Sequence, residues 1–204
     1  SPHARGLKEL AFRANHLDGP AVQEFCDAHP DLELEVLDLG AILLRELGAA
    51  YLARSSCLRE LKELKIDRCE IPPSGARELA RSGYLGNLRR LNLDNNNFGP
   101  EGMDALLELK LPHLHTLQLC NNDLGDEGVT YLAESPFSNS LLDLDLSQND
   151  LWTYSAEALA ATRYFKNLIL LRLGHNHLDK QAQSILAGSP LGQRLSSLYM
   201  GKEA

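Results

Sequence analysis

One phrase returns along the whole chain at a nearly fixed interval. Beginning at Leu7, Leu34, Leu61, Leu88, Leu114, Leu141 and Leu168, the units open LKELAFRANHL, LEVLDLGAILL, LKELKIDRCEI, LRRLNLDNNNF, LHTLQLCNNDL, LLDLDLSQNDL and LILLRLGHNHL. An eighth, LSSLYM, starts at Leu195 and is cut short. Successive starts lie 27 residues apart, with a single step of 26. A period of this length means stacked supersecondary units, none of which can bury its apolar side alone. This excludes an ordinary closed core and leaves a row of units sharing one elongated interior.

Within a unit the first half alternates, so its leucines enter the core while their neighbours face out. An Asn then stands where the chain leaves the strand, and its amide can donate to and accept from backbone groups that the turn removes from water. Stacking predicts a ladder of Asn96, Asn122, Asn149 and Asn176, with Asn15 outlying. Cys69 fills this slot weakly and Ile42 cannot donate, which predicts a local irregularity around repeats two and three. The second half reads as a helix. Phe25, Leu52, Leu79, Leu106, Leu132, Leu159 and Leu186 recur at one position, with small or apolar residues three and four places upstream. Neighbouring strands need about 4.8 Å and packed helices roughly 8–10 Å, so the stack bends with the sheet inside.

The run LDNNNFGPEGMD at 93–104 has the oxygen-rich look of a calcium loop. Counted from Asp94, however, its twelfth position is Ala105, where such a loop needs a carboxylate. It is read as a solenoid turn.

The pattern L-x-x-L-x-L-x-x-N/C-x-L is that of a leucine-rich repeat. The helix-bearing unit LQLCNNDLGDEGVTYLAESP resembles the ribonuclease-inhibitor-like class, and LGDEGVTYLAESP is similar to bacterial proteins of that class. The resemblance implies an α/β fold: a right-handed β/α solenoid in a horseshoe arc, with a parallel concave sheet and helices on the convex face. The expected organisation is a single domain over 1–204. Resemblance also implies binding of other proteins through the concave sheet and loop edges, as a recognition, adaptor or inhibitor module. Some relatives activate GTPases, and a structural segment of a larger protein is the third possibility.

Two surfaces could carry a protein partner. The outward residue at each strand centre gives the column Ala11, Asp38, Lys65, Asn92, Gln118, Asp145, Arg172 and Tyr199. It is polar, mixed in sign and varied, and Arg and Tyr are enriched at binding hot spots. A flanking column reads Glu9, Val36, Glu63, Arg90, Thr116, Asp143, Leu170 and Ser197. The plainer alternative is that Asp145 and Arg172, or Glu63 and Arg90, merely pair across strands. The second surface is the loop edge, where Trp152 and Tyr154 replace the turn-type or polar residues of other units. Trp152 could instead lie flat over the neighbouring turn. Lys62, Lys65, Arg68, Arg89 and Arg90 are interleaved with Glu63, Asp67 and Asp94 and are expected to form a solvated charge network.

Other chemistry finds little footing. His113, His115, His175 and His177 form H-x-H pairs, but their spacing suits turns better than ligation. No G-x-S-x-G elbow or phosphate-cradling glycine loop occurs, so neither a catalytic residue nor a cofactor or metal site is expected. The net charge of -8 disfavours nucleic acid, and no run of apolar residues is long enough to span a membrane. Cys26, Cys57, Cys69 and Cys120 make no C-x-x-C pair, and no basic-then-apolar leader is visible, so a cytoplasmic location is expected. The chain enters on a strand at Leu7 and stops in another at Met200. Unshielded ends of this kind are expected to mark a fragment or to pair edge to edge with another copy.

Overall fold

The computed structural model describes residues 6–201; the outermost residues of the expected 1–204 domain lie outside them. Eight short strands carry the repeat phrase: β1 (Glu9–Ala11), β2 (Val36–Asp38), β3 (Glu63–Lys65), β4 (Arg90–Asn92), β5 (Thr116–Gln118), β6 (Asp143–Asp145), β7 (Leu170–Arg172) and β8 (Ser197–Tyr199). They form one sheet in chain order, every neighbouring pair parallel. Parallel neighbours require a crossover, and a helix supplies each one. These are α1 (Gly19–Ala28), α2 (Arg45–Arg54), α3 (Pro73–Ala80), α4 (Gly99–Leu106), α5 (Gly125–Glu134), α6 (Thr153–Ala161) and α7 (Lys180–Gly188). A short α8 (Pro190–Arg194) precedes β8. From α1 to α7 each helix packs on the next, opposite the sheet. The architecture is an α/β solenoid.

Register follows from the leucines. Leu37, Leu64, Leu91, Leu117, Leu144 and Leu171 pair in line across six strands, and all are buried. Slipping any strand by one residue would turn its leucine to solvent and an outward, mostly polar neighbour inward. Burying such a side chain is worth about 1.5–3 kcal/mol, so the pattern fixes the pairing.

The Asn ladder forms. Asn96 accepts the backbone N–H groups of Cys69 and Ile71 at 3.1 and 3.0 Å and donates to the carbonyls of Ile66 and Leu93, both at 2.8 Å. Asn149 and Asn176 repeat this pattern two and three units on. The amide that resembled a calcium ligand is spent on the backbone. Just before each slot stands a residue with positive φ: Ala14, Ala41, Arg68, Asn95, Asn121, Gln148 and His175. None is glycine, although this conformation is costly for other residues. From Ala14 to Gln148 each donates its N–H to a carbonyl of the next unit, as Ala41 does to Asp67 at 2.8 Å and Gln148 to Gly174 at 3.0 Å.

The expected irregularity at repeats two and three does not reach the sheet, whose register there is unbroken. The Cys69 thiol takes over the donor half of the Asn role, reaching the carbonyls of Leu39 and Asp67 at 3.2 and 3.3 Å. Ile42 simply joins the core. Asn122 is the incomplete rung: it donates to Leu93 and Cys120, but its buried Oδ1 has no partner.

Candidate partner-binding face

The strand-centre column is a continuous line. Asp38 pairs in register with Lys65, Lys65 with Asn92, and so on through Gln118, Asp145 and Arg172 to Tyr199. Each side chain is at least partly exposed, and Tyr199 is 55% exposed. The expected residues therefore share one face; what differs along it is how far their charges are already satisfied.

Over repeats one to three the charges neutralise one another. Arg13 crosses the second repeat and grips Asp67 with both ends of its guanidinium, at 2.8 and 2.7 Å, touching Asp38 at 3.4 Å on the way. Gly40 makes the crossing possible: a Cβ there would lie 2.0 Å from the Arg13 Nη1 and 2.6 Å from the Asp67 carboxylate. Burial pulls the Asp67 carboxyl upward, but the hydrogen bonds and charge of Arg13 outweigh it and hold the group below its ordinary value. Lys65 lies 3.3 Å from Glu63 and 3.9 Å from Asp38. Arg90 binds Glu63 through Nε at 2.8 Å, so that cross-strand pair exists as expected.

Beyond repeat three the wiring changes. Arg172 does not pair with Asp145. Its guanidinium reaches diagonally back to Asp143 at 2.7 Å, while Asp145 turns one oxygen onto the Ser147 N–H at 2.9 Å. Asp94 does not join a solvated network either. It is partly buried, holds the Cys120 N–H at 2.7 Å, and has its carboxyl pushed up to about 6 by desolvation and then by the negative charges of Asp145 and Asp67. A cavity of about 290 Å³ opens here, lined by Asp145, Ser147, Gln148, Arg172, Gly174 and Tyr199 among others.

At the loop edge, Trp152 is 55% and Tyr154 74% exposed. Trp152 lies over the neighbouring turn, its ring 4.4 Å from that of His177 and inclined by 20°. It thus covers an imidazole and leaves the core alone. His177 is fixed in turn against Asp150 at 3.2 Å. Trp152 cannot cap α6 with its own side chain. Asp126 of the preceding unit does so instead, accepting the N–H groups of Trp152 and Ser155 at 2.8 and 3.1 Å and the Ser155 hydroxyl. A shallow polar trough of about 900 Å³ runs beside this edge, lined by Asn96, Asn121, Gln148 and His177 among others.

Sequence reasoning missed the Arg13–Asp67 clamp, although Arg13, Gly40 and Asp67 stand in one slot of successive repeats and a glycine between opposite charges was a legible signal. It also missed the Asp126 cap. Among the described residues, no group of three His, Cys, Asp or Glu side chains is placed to hold a metal, and no helix is long and apolar enough to cross a membrane.

Comparison with known proteins agrees with this geometry. A family model described as Leucine Rich repeat matches residues 87–107 and 110–133, the stretches that carry β4 with α4 and β5 with α5. A search of curated proteins finds no match. Among solved structures, a chain from the crystal structure of the yeast Rad7 and Elc1 complex is similar over 96% of this chain, with a TM-score of 0.66 and 17% identity. The similarity spans 49% of that longer chain, and at this identity it speaks for the fold alone. Repeat period, leucine files, Asn ladder, family match and structural likeness converge: the chain has the leucine-rich repeat fold, and two of its repeats match the family's own model.

Proposed function

We propose that this protein is a non-catalytic interaction scaffold, a single domain of stacked repeats that binds another protein through its concave sheet, with the Trp152 and Tyr154 edge as an auxiliary contact. The carrying observation is the in-register column Lys65, Asn92, Gln118, Asp145, Arg172 and Tyr199, which sets six different side chains on one rigid face. Strands hold the backbone of such groups already ordered, so that binding costs side-chain ordering only, and varied polar side chains with a Tyr and an Arg at one end suit specific recognition. The similar yeast chain is described within a Rad7 and Elc1 complex, and a relative in fold that enters an assembly supports the same use here. Cys26, Cys57 and Cys69 pack as buried thiols, which suits a reducing intracellular compartment.

The test is affinity capture with mass spectrometry, comparing wild type with a Trp152→Ala/Arg172→Ala/Tyr199→Ala variant of unchanged melting temperature. A partner held by wild type and lost by the variant supports the reading. Equal capture by both overturns it.

A further inference from the structure

Resting on the concave-face reading, we propose that the cavity between β6 and β8 receives a basic side chain, lysine or arginine, from the partner protein. The argument begins with which charges are spent. On the concave face Asp38, Glu63, Asp67 and Asp143 each meet a cation of this chain. Among the described residues, Asp94 and Asp145 form no ion pair. Each uses one carboxylate oxygen on a backbone N–H, of Cys120 and Ser147 respectively. A carboxylate withdrawn from water without a counter-charge is costly, and a cation delivered by a partner would remove that cost.

The cavity stands beside these two groups. Asp145 lines it, and Asp94 holds the Cys120 backbone at its border. Ser147 and Gly174 are small, which makes the depression, and the exposed Tyr199 adds an aromatic ring to its wall, a group that attracts cations. Arg172 also lines the cavity, but Asp143 offsets its charge at 2.7 Å. Asp145 lines the cavity, and with Asp94 behind Cys120 and Asp143 against Arg172 three carboxylates stand near one guanidinium, so the local charge favours a cation over an anion. At about 290 Å³ the space lies at the lower limit of the roughly 300–1,000 Å³ of small-molecule sites and has room for one long side chain.

The experiment is a titration followed by backbone amide NMR with N-acetyl-argininamide and N-acetyl-lysinamide as probes and neutral N-acetyl-glutaminamide as control. Wild type is expected to show saturable shifts at Cys120, Ser147, Gly174 and Tyr199 with the basic probes. Binding should weaken at least about five-fold in Asp94→Asn/Asp145→Asn, whose amides still accept the two backbone N–H groups. Absence of saturable shifts, an equal response to the neutral probe, or undiminished binding by the double variant overturns the proposal. A protein partner lost by the triple alanine variant but kept by Asp94→Asn/Asp145→Asn also overturns it, while leaving the concave-face reading in place.

Discussion

Asp67 and Asp94 occupy the same slot of neighbouring repeats and have opposite surroundings. Asp67 is held by both ends of Arg13, and its carboxyl lies below the ordinary value. Asp94 sits one strand further on with a single backbone N–H for company, and its carboxyl is raised to about 6. The pair stands for two regions. In the first three repeats the concave face is wired to itself, so its charges add to stability and have little left to offer a partner. In the later repeats Asp94 and Asp145 meet backbone N–H groups but, among the described residues, form no ion pair, and a cavity and an exposed tyrosine lie beside them. Closely similar backbone geometry therefore carries an end whose charges are paired and an end whose carboxylates are not, and the second is where we propose that a partner binds.

The largest expected effect lies at the wired end. Replacing Asp67 with Ala leaves the Arg13 guanidinium without its main partner and should lower unfolding stability by about 1–3 kcal/mol, discounted because Arg13 is partly exposed. Chemical denaturation measures it, and partner capture should not change. Gly40→Ala should cost about 1–2 kcal/mol by obstructing the crossing. Combined with Asp67→Ala it should add almost nothing, since both break one contact. Full additivity in a double-mutant cycle would show that Gly40 serves some other purpose.

In the later repeats the sign reverses. The folded Asp94 carboxyl keeps its proton up to about pH 6, whereas its unfolded value is 3.8. Folding therefore takes up a proton between these values, and this group's contribution falls as pH rises through that window. Asp94→Asn should stabilise the protein by about 1–2 kcal/mol at pH 7.5 and by almost nothing below pH ~4. Denaturation at the two pH values decides it; a destabilised variant at pH 7.5 would mean that Asp94 already has a counter-charge. The smallest effect belongs to Trp152→Ala. Because the ring covers only His177, the loss should be about 0–1 kcal/mol while partner capture weakens. A collapsed melting transition would instead assign Trp152 to structure.

How much of this was legible in the sequence depends on the range of the contact. The leucine files and the Asn ladder follow from a period that each repeat states again, so strand order, register and the outward column could be read directly. The cap of α6 by Asp126 and the clamp of Asp67 by Arg13 join groups 26 to 54 positions apart. They depend on side-chain reach, which periodicity does not specify. Arg172 shows the limit: alternation placed it beside Asp145, but its guanidinium takes Asp143 while Asp145 holds a backbone N–H, a choice of rotamer that the repeat pattern does not specify. Asp94 looked solvated because charges flank it in the sequence, and only the packing around Cys120 removes it from water. Cys69 is a milder case, since a thiol at donor distance from two carbonyls does half the work of an asparagine.

Hydroxyl-radical footprinting of the captured complex tests the division between the two ends most directly. The account predicts protection of Tyr199, His175 and Trp152, with Phe12 at the first repeat and Tyr51 and Tyr131 on the helices as reactive as in the unbound protein. Protection concentrated on Phe12 or on the helix tyrosines, with Tyr199 still fully reactive, would contradict it.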